Sequence, residues 1–247
     1  MISAIVLAKN EEKNLGECLG HLQWCDEIIV LDDFSTDSTP QIAIKSGSIY
    51  AKRKLTNFAD QRNFALTLAK FEWVLFIDSD EIVSEDLRNE IQHVIATDST
   101  INGYFLKRVD LLWNKTIKYG DGKDIQLLRL AKKNTGKWIG AVHEVWDIKD
   151  PTRSLLSPLL HSPHQTVAEF LDEINKYSTL RALELIENKK KANSFIIVMY
   201  TIGKFLDNYL LKLGFLDGTH GLIRALMMSY YSFLVRAKLW TLNQKRQ

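Results

Sequence analysis

Apolar residues in the first eighty positions fall into short unbroken runs rather than alternating ones. Ile2 to Leu7, Glu27 to Leu31 and Trp73 to Ile77 each read as a strand without a polar face. Strands of that kind are buried on both sides, as in a parallel sheet covered by helices. A shorter strand is expected near Ile49-Tyr50-Ala51. Helices fill the intervals. Leu15, Cys18, Leu19 and Leu22 share one helical face, a Ser/Thr-rich turn leads into Pro40 as a helix start, and residues 59–69 form another helix. Residues 103–109 and 125–130 read as strands of a smaller, more antiparallel region. Farther on, Phe170, Ile174, Tyr177, Leu180, Leu183 and Ile186 recur near helical spacing, predicting an amphipathic helix over 167–188. The expected class is α/β: a domain with a mostly parallel central sheet over residues 1–188, and a helical extension over 189–247.

Charge changes this picture at the end of the chain. The 247 residues carry a net charge of +2, yet from Lys189 onward ten Lys and Arg face two Asp, a local balance of +8. Residues 1–188 therefore carry −6. The basic residues of the extension, Lys204, Lys212, Arg224, Arg236 and Lys238, interleave with Phe, Tyr, Leu and Trp. Uncharged runs such as Ala192 to Gly203 fall short of the roughly 20 residues that a spanning helix needs. Such a segment suits an anionic membrane surface, or helices packed on the N-terminal domain or on a second subunit to form an oligomer. Nucleic acid is excluded as a partner, because the basic residues sit within long aliphatic runs rather than a polar groove.

Two cysteines, Cys18 and Cys25, make neither a disulfide framework nor a zinc spacing. The opening segment lacks the basic start, longer apolar stretch and small-residue cleavage site of a signal peptide. A cytoplasmic location is expected, with peripheral attachment to the inner face of the membrane.

The chemistry concentrates at strand ends. Asp32-Asp33 closes the second apolar run and Asp78-Ser79-Asp80-Glu81 closes the Trp73 run. In open parallel sheets ligands bind beyond the carboxyl ends of the strands, so both acid pairs can converge on one crevice. Two carboxylates separated by one residue suit a hard divalent cation that takes its other oxygens from a diphosphate and water. A carboxylate at Asp33 can accept the imide N–H of uracil. Asn10 and Glu11, after the first strand, offer acceptors near the same nucleotide, and Arg62 suits a base or phosphate contact.

These residues carry a family resemblance. Asn10-Glu11-Glu12, Asp32-Asp33 with Ser35-Thr36-Asp37, Gln61-Arg62-Asn63 and Asp78-x-Asp80-Glu81, in this order, resemble the family 2 glycosyltransferases of the GT-A fold. Gly120-Asp121-Gly122, Val142-His143-Glu144, His161-Ser162-Pro163-His164 and Gly214-Phe215-Leu216-Asp217-Gly218 resemble the branch of bacterial lipopolysaccharide core β-1,4-glucosyltransferases. The resemblance implies that Asp33 binds uracil with Asp32 beside it and that Arg62 helps hold the nucleotide. It implies further that Asp78 lies near ribose and metal, and that Asp80 ligates Mg²⁺ or Mn²⁺ through the donor diphosphate. His161 lies where such enzymes supply a late histidine to the metal or diphosphate. Glu144 is placed as the general base of an inverting transfer, with Asp121 as the alternative.

The function expected is transfer of a hexose, glucose by the resemblance, from a UDP-sugar donor to a lipopolysaccharide-core or other lipid-linked acceptor. An alcohol is a weak nucleophile at neutral pH, so a carboxylate must take its proton as the new bond forms. Transfer to a peptide or protein is the alternative within enzymes. A nucleotidyltransferase or nucleotide-sugar binding protein is the alternative outside this class.

Overall fold

The computed structural model describes residues 1–113, 115–121, 125–140, 144–163 and 166–244. It divides into two compact units, residues 1–108 with 124–161, and residues 109–123 with 162–247.

The first unit opens with β1 (Ile2–Ala8), α1 (Leu15–Gly20), β2 (Glu27–Asp32), α2 (Thr39–Lys45), β3 (Ile49–Lys52), α3 (Phe58–Leu68) and β4 (Trp73–Asp78). Then follow β5 (Glu81–Val83), α4 (Glu85–Thr97) and β6 (Gly103–Leu112), which runs on into the second unit with β7 (Lys115–Thr116), and, again in the first unit, β8 (Ile125–Lys132), β9 (Gly136–Ile139), β10 (Val145–Ile148) and β11 (Thr152–His161). The main sheet runs β3-β2-β1-β4-β8-β6-β11-β5, and β9 pairs with β10 as a separate hairpin. The stretch β3-β2-β1-β4 is parallel throughout. Consecutive residues of its strands face opposite layers. Ala4, Val6, Val30, Leu75 and Ile77 pack with α1, α2 and α4, whereas Ile5, Ile29, Leu31, Val74 and Phe76 pack with α3 and the two hairpin tryptophans. Burial on both faces is why these runs show no polar alternation. Truncating a side chain such as Leu75, fully enclosed, to Ala would cost about 2–5 kcal/mol.

The strands expected in a smaller, more antiparallel region do pair antiparallel, and they continue the main sheet. β8 pairs antiparallel to β4, with Leu75 opposite Leu130, and β6 pairs antiparallel to β8. The physical reason is burial, since Leu130 and Ala131 carry the covered surface of β4 onward to the next strand.

The second unit holds α5 (Val167–Glu187), α6 (Ser194–Leu206), a π-helical turn at Asp207–Leu211, a 3₁₀ turn at Gly214–Asp217 and α7 (Thr219–Gln244). The expected boundary after residue 188 differs from this division because α5 packs along α7. The expected face of α5 is also corrected. Phe170, Ile174, Ser178, Ala182 and Ile186 are buried, while Tyr177, Leu180 and Leu183 are exposed. Small residues in a four-residue row let the two helices approach closely, and Lys238 of α7 reaches Ser178 Oγ at 2.8 Å. Among the described residues no helix is long and apolar enough to cross a membrane.

Candidate active site

β1 sits between β2 and β4, so the loops leaving these three strands lie side by side. Asn10, in the left-handed region at φ 57°, turns the chain sharply after β1. Its Oδ1 accepts the Thr36 amide at 2.9 Å, and its own amide donates to Ser35 Oγ at 2.8 Å. The Glu11 amide donates to Thr39 Oγ1 at 2.7 Å and the Glu12 amide to Asp37 at 3.1 Å. Asn10 thus fastens the β1 loop to the β2 loop. Glu11 extends toward Ser79 and Asp80, and burial together with the charges of Asp80 and Asp37 raises its carboxyl pKa.

Asp32 and Asp33 part company. Asp32 is wholly enclosed, accepting Tyr50 Oη at 2.8 Å, the Ser35 amide at 3.1 Å and the Ser35 hydroxyl. Asp32, expected beside the base-binding Asp33, braces the loop that carries it. Asp33 accepts Lys9 Nζ and the Leu55 amide, the latter at 2.9 Å. Those bonds, with Lys9 first, hold its carboxyl below the usual range. Two accepted bonds leave it capacity for a further donor.

The β4 end carries a charge cluster. Asp78 Oδ1 accepts Arg62 Nη2 at 2.9 Å, and Oδ2 accepts Arg129 Nη2. Burial opposes its ionisation, but Arg129 and Arg62 outweigh that and hold the carboxyl well below the ordinary range. Arg129 Nη2 also reaches Glu81 Oε1 at 3.3 Å, and Glu81 Oε2 accepts the Asp78 amide at 2.9 Å. Burial pushes the Glu81 carboxyl up, against the pull of Arg129.

Arg62 is buried, with its guanidinium carbon 4.7 Å from the centre of the Trp138 ring and 5.4 Å from that of Phe76. Trp138 stacks on Trp146 at 5.3 Å across the β9–β10 pair, which gives the guanidinium a flat apolar wall. Its Nε donates to Glu144 Oε1 at 3.2 Å. Arg62 thus joins the expected nucleotide residue Asp78 to the expected base Glu144. Nη1 is buried with no partner among the described residues.

Asp80 and His161 meet, with Oδ2 and Nε2 3.3 Å apart. The pairing of β11 with β5 places His161 opposite Glu81, which brings the histidine beside the acidic motif. Two ligands at right angles, each about 2.1 Å from a cation, lie about 3 Å apart, so this pair fits a divalent metal. Among the described residues no group of three or more His, Cys, Asp or Glu forms a fuller cage.

Asp121 belongs to the second unit. Its carboxylate is held by Lys204, by Lys212 at 2.6 Å and by Asn208 Nδ2 at 3.2 Å. Burial opposes ionisation, yet these donors bring its pKa down to about 2. A carboxyl so acidic and so engaged is a weak proton acceptor at neutral pH. Val142, His143, Gly122 and His164 of the sequence motifs lie outside the described residues.

Arg129 escapes the sequence reading. Its signal is a lone cation inside the apolar strand Leu127-Leu128-Arg129-Leu130, since a charge is almost never fully buried without a partner.

Glycosyl transferase family 2 matches residues 3–140, more than half of the chain. An uncharacterized glycosyltransferase of Rickettsia typhi is 26% identical over 99% of this chain and 88% of its own length. The lipopolysaccharide core biosynthesis glycosyltransferase LpsC of Rhizobium meliloti is 28% identical over 97% of this chain and 92% of its own. Among solved structures, glucosyl-3-phosphoglycerate synthase of Mycobacterium tuberculosis, in complex with Mn²⁺, uridine diphosphate and phosphoglyceric acid, is 26% identical with a TM-score of 0.37 across 42% of each chain. The chain, whose strand-end acids fall within the matched span, belongs to glycosyl transferase family 2 and is a glycosyltransferase.

Proposed function

We propose that the chain is a metal-dependent inverting hexosyltransferase that moves a sugar, glucose in our reading, from a UDP-sugar to a lipopolysaccharide-core or related lipid-linked acceptor. The observation that carries this reading is the meeting of Asp80 with His161, 3.3 Å apart, beyond a strand whose neighbour but one, β2, leads directly into Asp33. Asp33 accepts the uracil imide, and the Asn10–Thr36 clasp shapes the floor beneath the nucleotide. Asp80 and His161 would hold Mg²⁺ or Mn²⁺, and such a cation, when bound, offsets the charge that develops on the leaving diphosphate. Arg62 orients Asp78 and Glu144 together.

Glu144 is the proton acceptor in this reading. Arg62 holds Oε1, and Oε2 has no partner among the described residues. As the acceptor hydroxyl oxygen bonds to the anomeric carbon, its proton passes to Glu144 and the bond to the diphosphate oxygen breaks. A single displacement on an α-linked donor leaves a β-linked product, and no enzyme nucleophile takes part. The acceptor class rests on the LpsC relationship, which spans nearly both chains.

The test is donor hydrolysis and transfer to lipopolysaccharide core oligosaccharide over a panel of UDP-sugars, with Mg²⁺, Mn²⁺ or chelator. Glu144→Gln is expected to bind donor normally and to lose about 10²–10⁴-fold in acceptor-dependent turnover. Asp80→Asn is expected to lose transfer in every metal. Full turnover under chelator, or an active Glu144→Gln, would overturn the metal or the base assignment respectively.

A further inference from the structure

We infer that α6 and the turns after it form a membrane-docking surface that lies in the plane of an anionic lipid layer. The inference rests on the surface of the second unit alone and does not depend on the donor or acceptor proposed above. α6 reads Ser-Phe-Ile-Ile-Val-Met-Tyr-Thr-Ile-Gly-Lys-Phe-Leu, with Lys204 its sole charged residue, yet none of its 13 residues is buried. A helix that is apolar nearly all round is ordinarily enclosed by protein or lipid. One side rests on α7, where Ser229 Oγ donates to the Thr201 carbonyl at 2.7 Å and the Arg236 guanidinium lies 4.1 Å from the Tyr200 ring centre. The rest is open. Phe195 is 72% exposed, and Val198, Met199, Ile202 and Leu206 follow it at helical spacing, continued past the helix by Leu211 at 78%.

Length excludes a span. Thirteen residues rise about 20 Å, against about 30 Å of hydrocarbon. An in-plane helix of this kind inserts its apolar side at the headgroup boundary and draws added affinity from basic residues beside it. Those residues are present. Lys189, Lys190 and Lys191 immediately precede α6, all exposed, and none forms an ion pair with a described residue. Lys204 and Lys212, by contrast, are neutralised within the chain by Asp121 and Asp207. A second copy would cover the apolar side, but a two-fold contact through α6 would set two like-charged lysine triplets at one interface. An anionic headgroup layer supplies both the apolar medium and the negative charge.

The test is co-sedimentation of the full chain with phosphatidylglycerol/phosphatidylcholine vesicles and with pure phosphatidylcholine vesicles across a salt series. Two variants accompany it, Lys189→Gln/Lys190→Gln/Lys191→Gln and Phe195→Ser/Met199→Ser/Ile202→Ser. All six positions are on the surface, and thermal melting verifies that each variant is folded. The wild type is expected to partition onto the anionic vesicles and only weakly onto neutral ones. The lysine variant should lose about 100-fold in partition at low salt, from about 1 kcal/mol for each basic residue at such a surface. The serine variant should lose binding at every salt concentration. No partition of the wild type onto anionic vesicles, or equal partition of all three proteins, overturns the inference. So does a wild-type dimer that ignores vesicles and dissociates in the serine variant, which assigns the face to self-association.

Discussion

Replacing Asp121 by Asn separates a structural from a catalytic role for this residue. The amide keeps the shape and the Asn208 contact but leaves Lys204 and Lys212 facing each other without the charge between them. The Asp121 pKa of about 2 against an ordinary 3.8 corresponds to roughly 2 kcal/mol of stabilisation, at about 1.4 kcal/mol per pH unit. Lys212 is 41% exposed, so solvent screening lowers the expected loss to about 1–2 kcal/mol. A folded-state pKa that is depressed contributes its full stability above the unfolded value. That contribution fades as pH falls through 3.8 toward 2. Wild type and Asp121→Asn should therefore differ by a constant amount from pH 7 to pH 5, by about half of it near pH 3, and converge below. Thermal melting at matched pH reads this as a shift of about 2–8 °C near neutrality. Transfer assayed well below the melting temperature should retain most of its turnover. Unchanged melting together with a loss of 100-fold or more in turnover would refute the reasoning and make Asp121 the proton acceptor.

Two further outcomes test the first unit. Arg129→Met removes the cation between Asp78 and Glu81 and should cost about 3–5 kcal/mol in chemical denaturation, because the enclosed Glu81 loses its ion-pair partner and Asp78 one of its two; a loss below about 1 kcal/mol would show that Arg129 is not what balances them. Asp33→Ala should weaken uridine diphosphate binding by about 10–100-fold in calorimetry, the worth of a hydrogen bond to an ionised group. In the wild type that affinity should persist as pH falls to about 4, since Lys9 and the Leu55 amide hold Asp33 below the usual carboxylate range.

The parts of this fold legible in the sequence are those where one force acts alone. β1, β2 and β4 are enclosed on both faces, so their apolar runs declare themselves, and the acids at their ends stand out as polar breaks. β5, β9 and β10 hold only three or four residues each, too few for a period to emerge. α4 begins at a Ser84 cap with Glu85 and Asp86 in its first turn, so its start merges with the acidic motif before it. The face of α5 is misjudged for a different reason. Partner geometry selects Ser178 and Ala182 for the contact and leaves Leu180 and Leu183 outside, a choice that side-chain hydropathy does not encode. At the site, Asp33 and Asp80 stand out as acids at strand ends, whereas His161 enters only through the family resemblance. The separation of Asp32 from Asp33 depends on Tyr50 and Ser35, which no local pattern ties to it.

The bridge made by Arg62 bears on how such enzymes can be re-engineered. Grafting the hairpin segment of a relative would also exchange Glu144, and with it one of the two acids that hold the guanidinium against Trp138. A graft without a carboxylate at that place would disturb Asp78 through Arg62, although Asp78 itself had not been altered. Substitutions on the two sides of Arg62 should accordingly fail to add, and exchange of segments between relatives should succeed only when the carboxylate travels with them.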